Sequence, residues 1–369
     1  MSPLATRALV AIAVVGVLLT FWEQSRLTSY RPSDVFRAPF APSLNLSSSQ
    51  AISRRVVAVA DLHGDLEHAH NVLRMAKLID GADPPNWIAG HDILVSTGDI
   101  VDRGDDTIAL YHMFMRLRRQ AQAAGGEVRN CLGNHEMMNA LMDWRYVTPG
   151  DIDSFGGRVE RRQAMSASGW VGKEWMSHYN ISHTVELLPQ ALVPSALQTV
   201  YSVPQANFVH GGIHPMWAQR GLDEINDVGH SLLRKALSAK RIDYLPDDAT
   251  PEERNLYAEK GPLWYRGFAL DEEAEVCDEA HDSRQLLGVR HLIMGHTPHF
   301  SGFVVRCSVG VLLIDTGISR AYGGEQSALI IDTELAPEGN EWKETETLTA
   351  LYRNRVPKII KKDTRKIGR

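Results

Sequence analysis

Gly98-Asp99-Ile100-Val101-Asp102-Arg103-Gly104 follows the apolar run from Asp92 to Thr97, and Gly133-Asn134-His135-Glu136 follows the apolar run from Val128 to Leu132. In both places a short β-branched segment stops at a glycine and a group of carboxylate, amide or imidazole side chains. The same grammar holds outward in both directions. Upstream, Val56 to Ala60 ends at Asp61-Leu62-His63-Gly64-Asp65. Downstream, Asn207 to His210 runs into Gly211-Gly212, and Arg290 to Met294 ends at Gly295-His296-Thr297. Strand ends that carry oxygen and imidazole ligands can converge at the carboxyl edge of an α/β sheet, where such donors suit hard to borderline divalent cations. Taken singly each cluster is commonplace, since a lone buried histidine is usually a satisfied core residue. Five of them in series point to a two-metal site.

Between these runs lie helical stretches near Leu66 to Ile79 and Thr107 to Ala124, and further strands are expected at Val311 to Asp315 and Ala328 to Asp332. The alternation is that of an α/β fold. Asn139 to Gln205 and Pro215 to Leu287 interrupt it and are expected to form a cap or rim.

The ordered set Asp-x-His-Gly, Gly-Asp-x-Val-Asp-Arg-Gly, Gly-Asn-His-Glu, His-Gly-Gly and a late Gly-His resembles the calcineurin-like metallophosphoesterases, in their phosphoprotein phosphatase branch, over roughly Val56 to Asp332. Within that branch, Asp143 to Pro149, Leu263-Trp264-Tyr265-Arg266-Gly267 and Asp315-Thr316-Gly317-Ile318-Ser319-Arg320 are similar to the Shewanella-like phosphatase subgroup. The resemblance implies a β-sandwich flanked by helices. It also implies a phosphomonoesterase that works by in-line attack of a metal-bridging hydroxide. Asp61, His63 and Asp99 would hold one divalent ion (Mn, Fe or Zn); Asp99 would bridge to a second held with Asn134, His210 and His296. His135 would be the general acid and Asp102 its orienting partner, the catalytic pair. Arg103 would clamp phosphate through its planar fork. Arg266 is the expected second clamp, with Arg320 as the competitor.

Ala60, His299 and the stretch after Asp332 depart from the family pattern. Ala60 stands where glycine usually precedes the first aspartate, which is harmless if φ is negative. His299, three residues after His296, is read as lying behind the ligands, and His214 as a loop residue. The regulatory and peptide-groove features of the eukaryotic serine/threonine enzymes are not evident after Asp332. Met137 and Met138 are expected to be ordinary helix packing and Cys131 an inert buried thiol.

Around this core, residues 54–335 form the expected metallophosphoesterase domain. Residues 1–22 contain the charge-free run Ala8 to Trp22; Leu4 to Trp22 as a helix would span roughly 28 Å, which barely crosses a hydrocarbon core. It reads as an apolar helix that is a signal anchor or a signal peptide, and residues 23–53 as a stalk. Arg7 ahead of the run keeps the N-terminus cytosolic under the positive-inside rule, so the catalytic domain is expected in a lumen or outside, or secreted after cleavage. Asn45-Leu46-Ser47 and Asn180-Ile181-Ser182 are glycosylation sequons consistent with that placement. Cys277 and Cys307 would then pair or remain two free thiols.

Residues 336–369 are expected as a C-terminal extension with a basic tail. Arg353 to Arg369 holds eight basic residues and one acid, a solvated terminus or a contact for acidic lipid or polyanion. The net charge of −6 over 369 residues excludes a general nucleic-acid trap. The expected partners are therefore a phosphorylated protein or peptide substrate and the membrane. Inorganic polyphosphate or a dinucleoside polyphosphate is the alternative substrate, and an inactive binding module the alternative class.

Overall fold

The computed structural model describes residues 50–239 and 245–368; the apolar segment 1–22 and most of the stalk lie outside the described residues. Two mixed sheets share one continuous hydrophobic core. The first has the order β12-β11-β10-β1-β2-β3-β4 and the second β5-β6-β7-β9-β8.

In the first sheet β1 (Ile52–Val59), β2 (Ile93–Ser96), β3 (Glu127–Cys131) and β4 (Tyr179–Asn180) run parallel, so their carboxyl ends share one edge. In the second, β5 (Ser182–Glu186) is antiparallel to β6 (Gln205–Val209), β6, β7 (His291–Met294) and β9 (Val311–Leu313) are parallel, and β8 (Val304–Arg306) pairs antiparallel with β9. β2, β9 and the second half of β1 (Val56 to Val59) are continuous buried apolar runs, and β6 and β7 are buried along nearly their whole length, as parallel strands covered on both faces require. Asp61, Asp99, Asn134, His210 and His296 all follow the carboxyl ends of such parallel strands.

The helix Leu66–Met75 starts on the Asp65 side chain, which accepts from the His68 amide. It ends four residues earlier than its apolar periodicity suggests, because Lys77 takes a left-handed φ of 57°. The helix Thr107–Ala123 matches expectation. The region expected as a cap does hold the helices Pro149–Ser154, Arg158–Ala164 and Trp170–His178, but it also supplies β4 and β5, which join the two sheets.

The C-terminal expectation needs correction. A boundary at residue 335 falls inside β10 (Ser327–Glu338), which pairs with β1, and the chain continues into β11 (Glu341–Tyr352) and β12 (Lys358–Ile367) of the same sheet. The described part of the basic tail is thus a sheet edge, not a frayed terminus. β11 conceals its pattern because its inward face reads Trp342, Glu344, Glu346, Leu348, Ala350. The two buried glutamates are neutralised from β7 and its approach: Arg290 Nη1 lies 2.9 Å from Glu344 and 2.7 Å from Glu346, and His291 Nε2 lies 2.9 Å from Glu346. Tyr201 Oη donates to Glu344 at 2.6 Å. β12 carries lysines along an edge strand, where charge discourages pairing with another chain.

Among the described residues no helix is long and apolar enough to cross a membrane.

Candidate metal and phosphoryl site

The strand-end loops place their polar groups by left-handed backbone. His63, Asp99, Asp102, Arg103 and His296 all have positive φ, between 42° and 72°, a conformation that non-glycine residues adopt at some energetic expense and that clusters at functional sites. Ala60 does not, so alanine is accommodated there. Glu136 ties two loops together. Its buried carboxylate accepts from the amides of Asp99 (2.9 Å), Ile100 (2.8 Å) and Gly133 (2.7 Å) and from Tyr111 Oη at 3.2 Å.

Asp99 sits at the centre. Its Oδ2 is 3.7 Å from His63 Nε2, 3.3 Å from His210 Nε2 and 3.8 Å from His135 Nε2. Its Oδ1 accepts from the His135 amide at 2.9 Å. Asp61 Oδ2 lies 3.9 Å from His63 Nε2, and His210 Nε2 is 2.8 Å from Asn134 Oδ1. Potential ligand atoms of Asp99, His210 and His296 lie within 4.8 Å of one another, as do those of His63, Asp99 and His135. All these side chains are buried. The six residues expected as ligands are therefore brought into one cluster around a shared carboxylate.

Hydrogen bonding decides what the cluster presents. His63 Nδ1 donates to the Val101 carbonyl at 3.0 Å and His210 Nδ1 to the Thr97 carbonyl at 3.0 Å. In its neutral form each ring turns a bare Nε2 lone pair toward oxygen acceptors of Asp99 or Asn134, which suits a cation between them. His296 Nε2 is buried with no hydrogen-bond partner. The two carboxylates shift in opposite directions: burial and the neighbouring Asp315 push the Asp61 carboxyl well above its usual range. At Asp99, burial is outweighed by three imidazoles, which hold it well below. Burial lowers His63 to about 4. At His210 burial is overcome by Asp99 and Asp61, which raise it to about 9, so this ring holds a proton that a bound cation would displace. A donor set of buried carboxylates, an amide oxygen and imidazole nitrogens, that of His296 without a hydrogen-bond partner, fits divalent metal ions.

Beside the cluster, His135 Nδ1 donates to Asp102 Oδ2 at 2.7 Å. Burial opposes the imidazolium, but Asp99 and Asp102 outweigh it and raise its pKa. Arg103 lies between two aromatic rings, 4.4 Å from the centroid of Tyr146 and 4.9 Å from that of Tyr322. Its amide donates to the Tyr146 carbonyl at 3.0 Å. Arg266 Nη1 donates to the His296 carbonyl (2.8 Å) and Thr297 Oγ1 (2.9 Å), which puts it at the ligand loop. Arg320 instead grips Asp65 with Nε and Nη2, at 2.9 and 2.8 Å. Its fork is committed to closing the Asp65 loop.

Several contributors were not singled out from sequence. Glu136 had one available signal, its place three residues after Gly133 at a helix start, from which a carboxylate can reach back to loop amides. Asp315 is buried beyond β9 and raised to about 6, chiefly by burial. Tyr146 lay within the Asp143 to Pro149 stretch but with nothing to pair it with Arg103, and Tyr322 had no signal, because their partner is distant in the chain. Met138 is more than packing: its sulfur accepts from Asn134 Nδ2 at 3.7 Å, which turns the amide oxygen toward His210. His214 caps the short helix Pro215–Ala218 through Nδ1 and faces Glu279 at 3.3 Å, away from the cluster. His299 joins the Asp315 carbonyl by its amide. Cys131 is buried and its thiol pKa is pushed upward by that burial.

A sequence model of the calcineurin-like phosphoesterases matches residues 54–300. An uncharacterised protein of Schizosaccharomyces pombe is 35% identical over 362 residues, which cover 95% of this chain and 98% of the relative. Shewanella-like protein phosphatase 2 of Arabidopsis thaliana is 29% identical over 296 residues, 72% of each chain. Among solved structures, the cold-active protein-tyrosine phosphatase of a psychrophilic Shewanella species is similar with a TM-score of 0.62 at 25% identity, covering 84% of this chain and 80% of that one.

Proposed function

This chain belongs to the calcineurin-like phosphoesterase family, and we propose that within it the protein is a metal-dependent phosphomonoesterase acting on phosphorylated protein or peptide. The observation that carries the reading is the Asp99-centred cluster with the His135–Asp102 pair on one side and Arg103 at its edge. The names of the Arabidopsis relative and of the Shewanella structure, both protein phosphatases, favour a phosphoprotein substrate.

Two divalent cations of the Mn, Fe or Zn class, held by Asp61, His63, Asp99, Asn134, His210 and His296, would supply positive charge to a phosphoryl oxygen and acidify water. The protein's own groups do the rest. Arg103 offers two N–H donors in one plane to a pair of phosphoryl oxygens, and the tyrosine rings on its flanks hold that plane. Arg266, anchored on the His296 loop, is the second donor in this reading. His135 hands the proton on Nε2 to the leaving oxygen. Asp102 keeps Nδ1 protonated, orients the ring and stabilises its charged form.

The Cys277–Cys307 disulfide supports a placement of the domain outside the cytosol, in line with an N-terminal anchor. The deciding experiment is a turnover screen of the purified full chain in detergent with phosphotyrosine peptide, phosphoserine peptide and polyphosphate. Phosphate release from a peptide is expected. Cleavage of polyphosphate alone would replace the reading with the polyphosphatase alternative, and tight metal binding without turnover on any substrate would leave a binding module.

A further inference from the structure

Behind the His135–Asp102 pair the structure holds a second, wholly buried set of polar groups from a different part of the chain. Asn139, one helical turn after His135, donates from Nδ2 to Asp102 Oδ1 at 2.9 Å and to the His135 carbonyl at 2.9 Å. Its Oδ1 accepts from Arg161 Nη1 at 2.7 Å. Arg161 Nη2 is itself 3.8 Å from Asp102 Oδ1. On its far side the guanidinium meets Asp151 Oδ2 through Nε at 2.8 Å and Nη2 at 2.8 Å. The Asn139 amide can stand only one way round, with nitrogen to the carboxylate and oxygen to the guanidinium, since the reverse would face acceptor to acceptor and donor to donor.

Arg161 has 0% of its surface exposed. Its guanidinium lies 4.8 Å from the centroid of Trp144 and 5.5 Å from that of Phe155. Burying an arginine carries a desolvation penalty of several kcal/mol even when it is paired, and an apolar side chain of similar volume would avoid it. What an apolar residue could not supply is a donor for Asn139 and a positive charge beside Asp102. Asp151 and Arg161 come from the helices Pro149–Ser154 and Arg158–Ala164, whereas Asp102 comes from the loop after β2 and His135 from the first turn of the helix Asn134–Ala140. The two arms of the network therefore join the cap to the proton donor.

We propose that Arg161 is a positioning residue: through Asn139 it fixes the carboxylate of Asp102, and thereby the ring of His135, in the orientation that delivers a proton to the leaving oxygen. This rests on the phosphomonoesterase reading with His135 as general acid. Arg161 touches no substrate, so it acts on kcat and leaves KM unchanged. Its influence grows with the basicity of the leaving oxygen, because only a poor leaving group needs the proton.

The experiment compares wild type, Arg161→Lys, Asn139→Ala, His135→Ala and the double variant Arg161→Lys/His135→Ala on an alkyl phosphate and on nitrophenyl phosphate, with metal content and the downfield imidazole N–H proton resonance measured on the same samples. Lysine keeps the charge and loses the fork. Arg161→Lys is expected to lower kcat on the alkyl ester by roughly 10- to 100-fold, the scale of a small misplacement of a reacting group. Nitrophenyl phosphate should lose less than about a third of that factor, KM and metal content should hold, and the imidazole proton should broaden or shift. In the His135→Ala background the lysine change should do nothing further.

Equal losses on both esters, an undiminished loss in the double variant, or an unchanged imidazole resonance would each overturn the positioning role. If Arg161→Lys does not fold, Asn139→Ala carries the same comparison from the other arm of the network. A wild-type protein with no turnover on either ester would sink the phosphomonoesterase reading instead, and the resonance would still decide whether Arg161 holds the imidazole.

Discussion

The carboxylate of Asp99 is the only side chain in the cluster that faces His63, His210 and His135 together, which makes it unequal to its neighbours in a measurable way. Asp99→Asn is expected to strip both metal ions and abolish turnover, whereas His63→Ala weakens chiefly one ion. Metal analysis after gel filtration checks this, and two ions retained by Asp99→Asn would break the assignment of a shared ligand. His135 makes its strongest contact with Asp102 and stands to the side of the ligands. His135→Ala should therefore keep its metal and lose roughly 10²- to 10⁴-fold on poor leaving groups, the usual contribution of a positioned acid; equal loss on an activated nitrophenol ester would remove it from that role. The fork of Arg103 matters beyond its charge, held as it is between Tyr146 and Tyr322. Arg103→Lys should lower turnover and raise KM, and wild-type kinetics in that variant would reduce Arg103 to a general electrostatic contributor.

Among the elements, the loop that ends β3 and the last three strands make the strongest demands. A Cβ at Gly133 would sit on the Asp99 carboxylate and amide, both backbone and a side chain whose position the site depends on. Gly133→Ala is expected to cost metal content and at least about 10²-fold in turnover, as a displacement of the reacting groups does, with normal activity counting against the packing seen here. β11 and β12 complete the first sheet, and β11 supplies the carboxylates for Arg290 and His291. Truncation after Leu335 leaves those groups buried without partners, at roughly 3 to 5 kcal/mol for a broken buried pair, and uncovers core surface besides. Domains carry only about 5 to 15 kcal/mol in total. The truncated chain should show no cooperative melting transition; a truncated protein that melts like the full chain would restore the view of residues 336–369 as an appendage.

For the molecule as a whole, acid should act through histidines held neutral. His183 faces the Asn130 carbonyl at 3.1 Å from Nε2, and burial lowers its pKa from 6.5 to about 4. Between those values the unfolded chain binds the proton and the folded chain does not, so stability falls as pH falls from about 6.5 to about 4. Urea unfolding at pH 7 and pH 5 should show a smaller pH difference for His183→Gln, which keeps an N–H for the carbonyl without a titrating ring. An identical difference in both proteins would assign the pH dependence elsewhere. Placement in the cell is tested by protease on intact vesicles: a protected C-terminal epitope is expected for an anchor at residues 4–22 with the domain on the far side, and digestion without detergent would put the domain in the cytosol.

The amino-acid order was enough to pick out the residues that the fold gathers into the Asp99 cluster. A short strand that runs into a carboxylate, amide or imidazole with glycine beside it announces a strand-end loop locally, and repetition of that unit at Asp61, Asp99, Asn134, His210 and His296 announced a metal cluster, because each unit is a short-range pattern. Strands with apolar faces were legible for the same reason, and the regions around β11 and β12 were not. Glu344 and Glu346 look like solvent-facing residues until β7 brings Arg290 and His291 against them. The same holds at the site: Arg320 and Arg266 are equivalent as letters, and only the fold engages one with Asp65 and sets the other on the His296 loop. Arg161 is one of three arginines in the helix Arg158–Ala164, and nothing in the sequence separates it from the other two. Its burial against Asp151, Asn139 and Asp102 depends on residues 10, 22 and 59 positions away along the chain, and a charge becomes tolerable inside a protein only through partners that tertiary structure delivers.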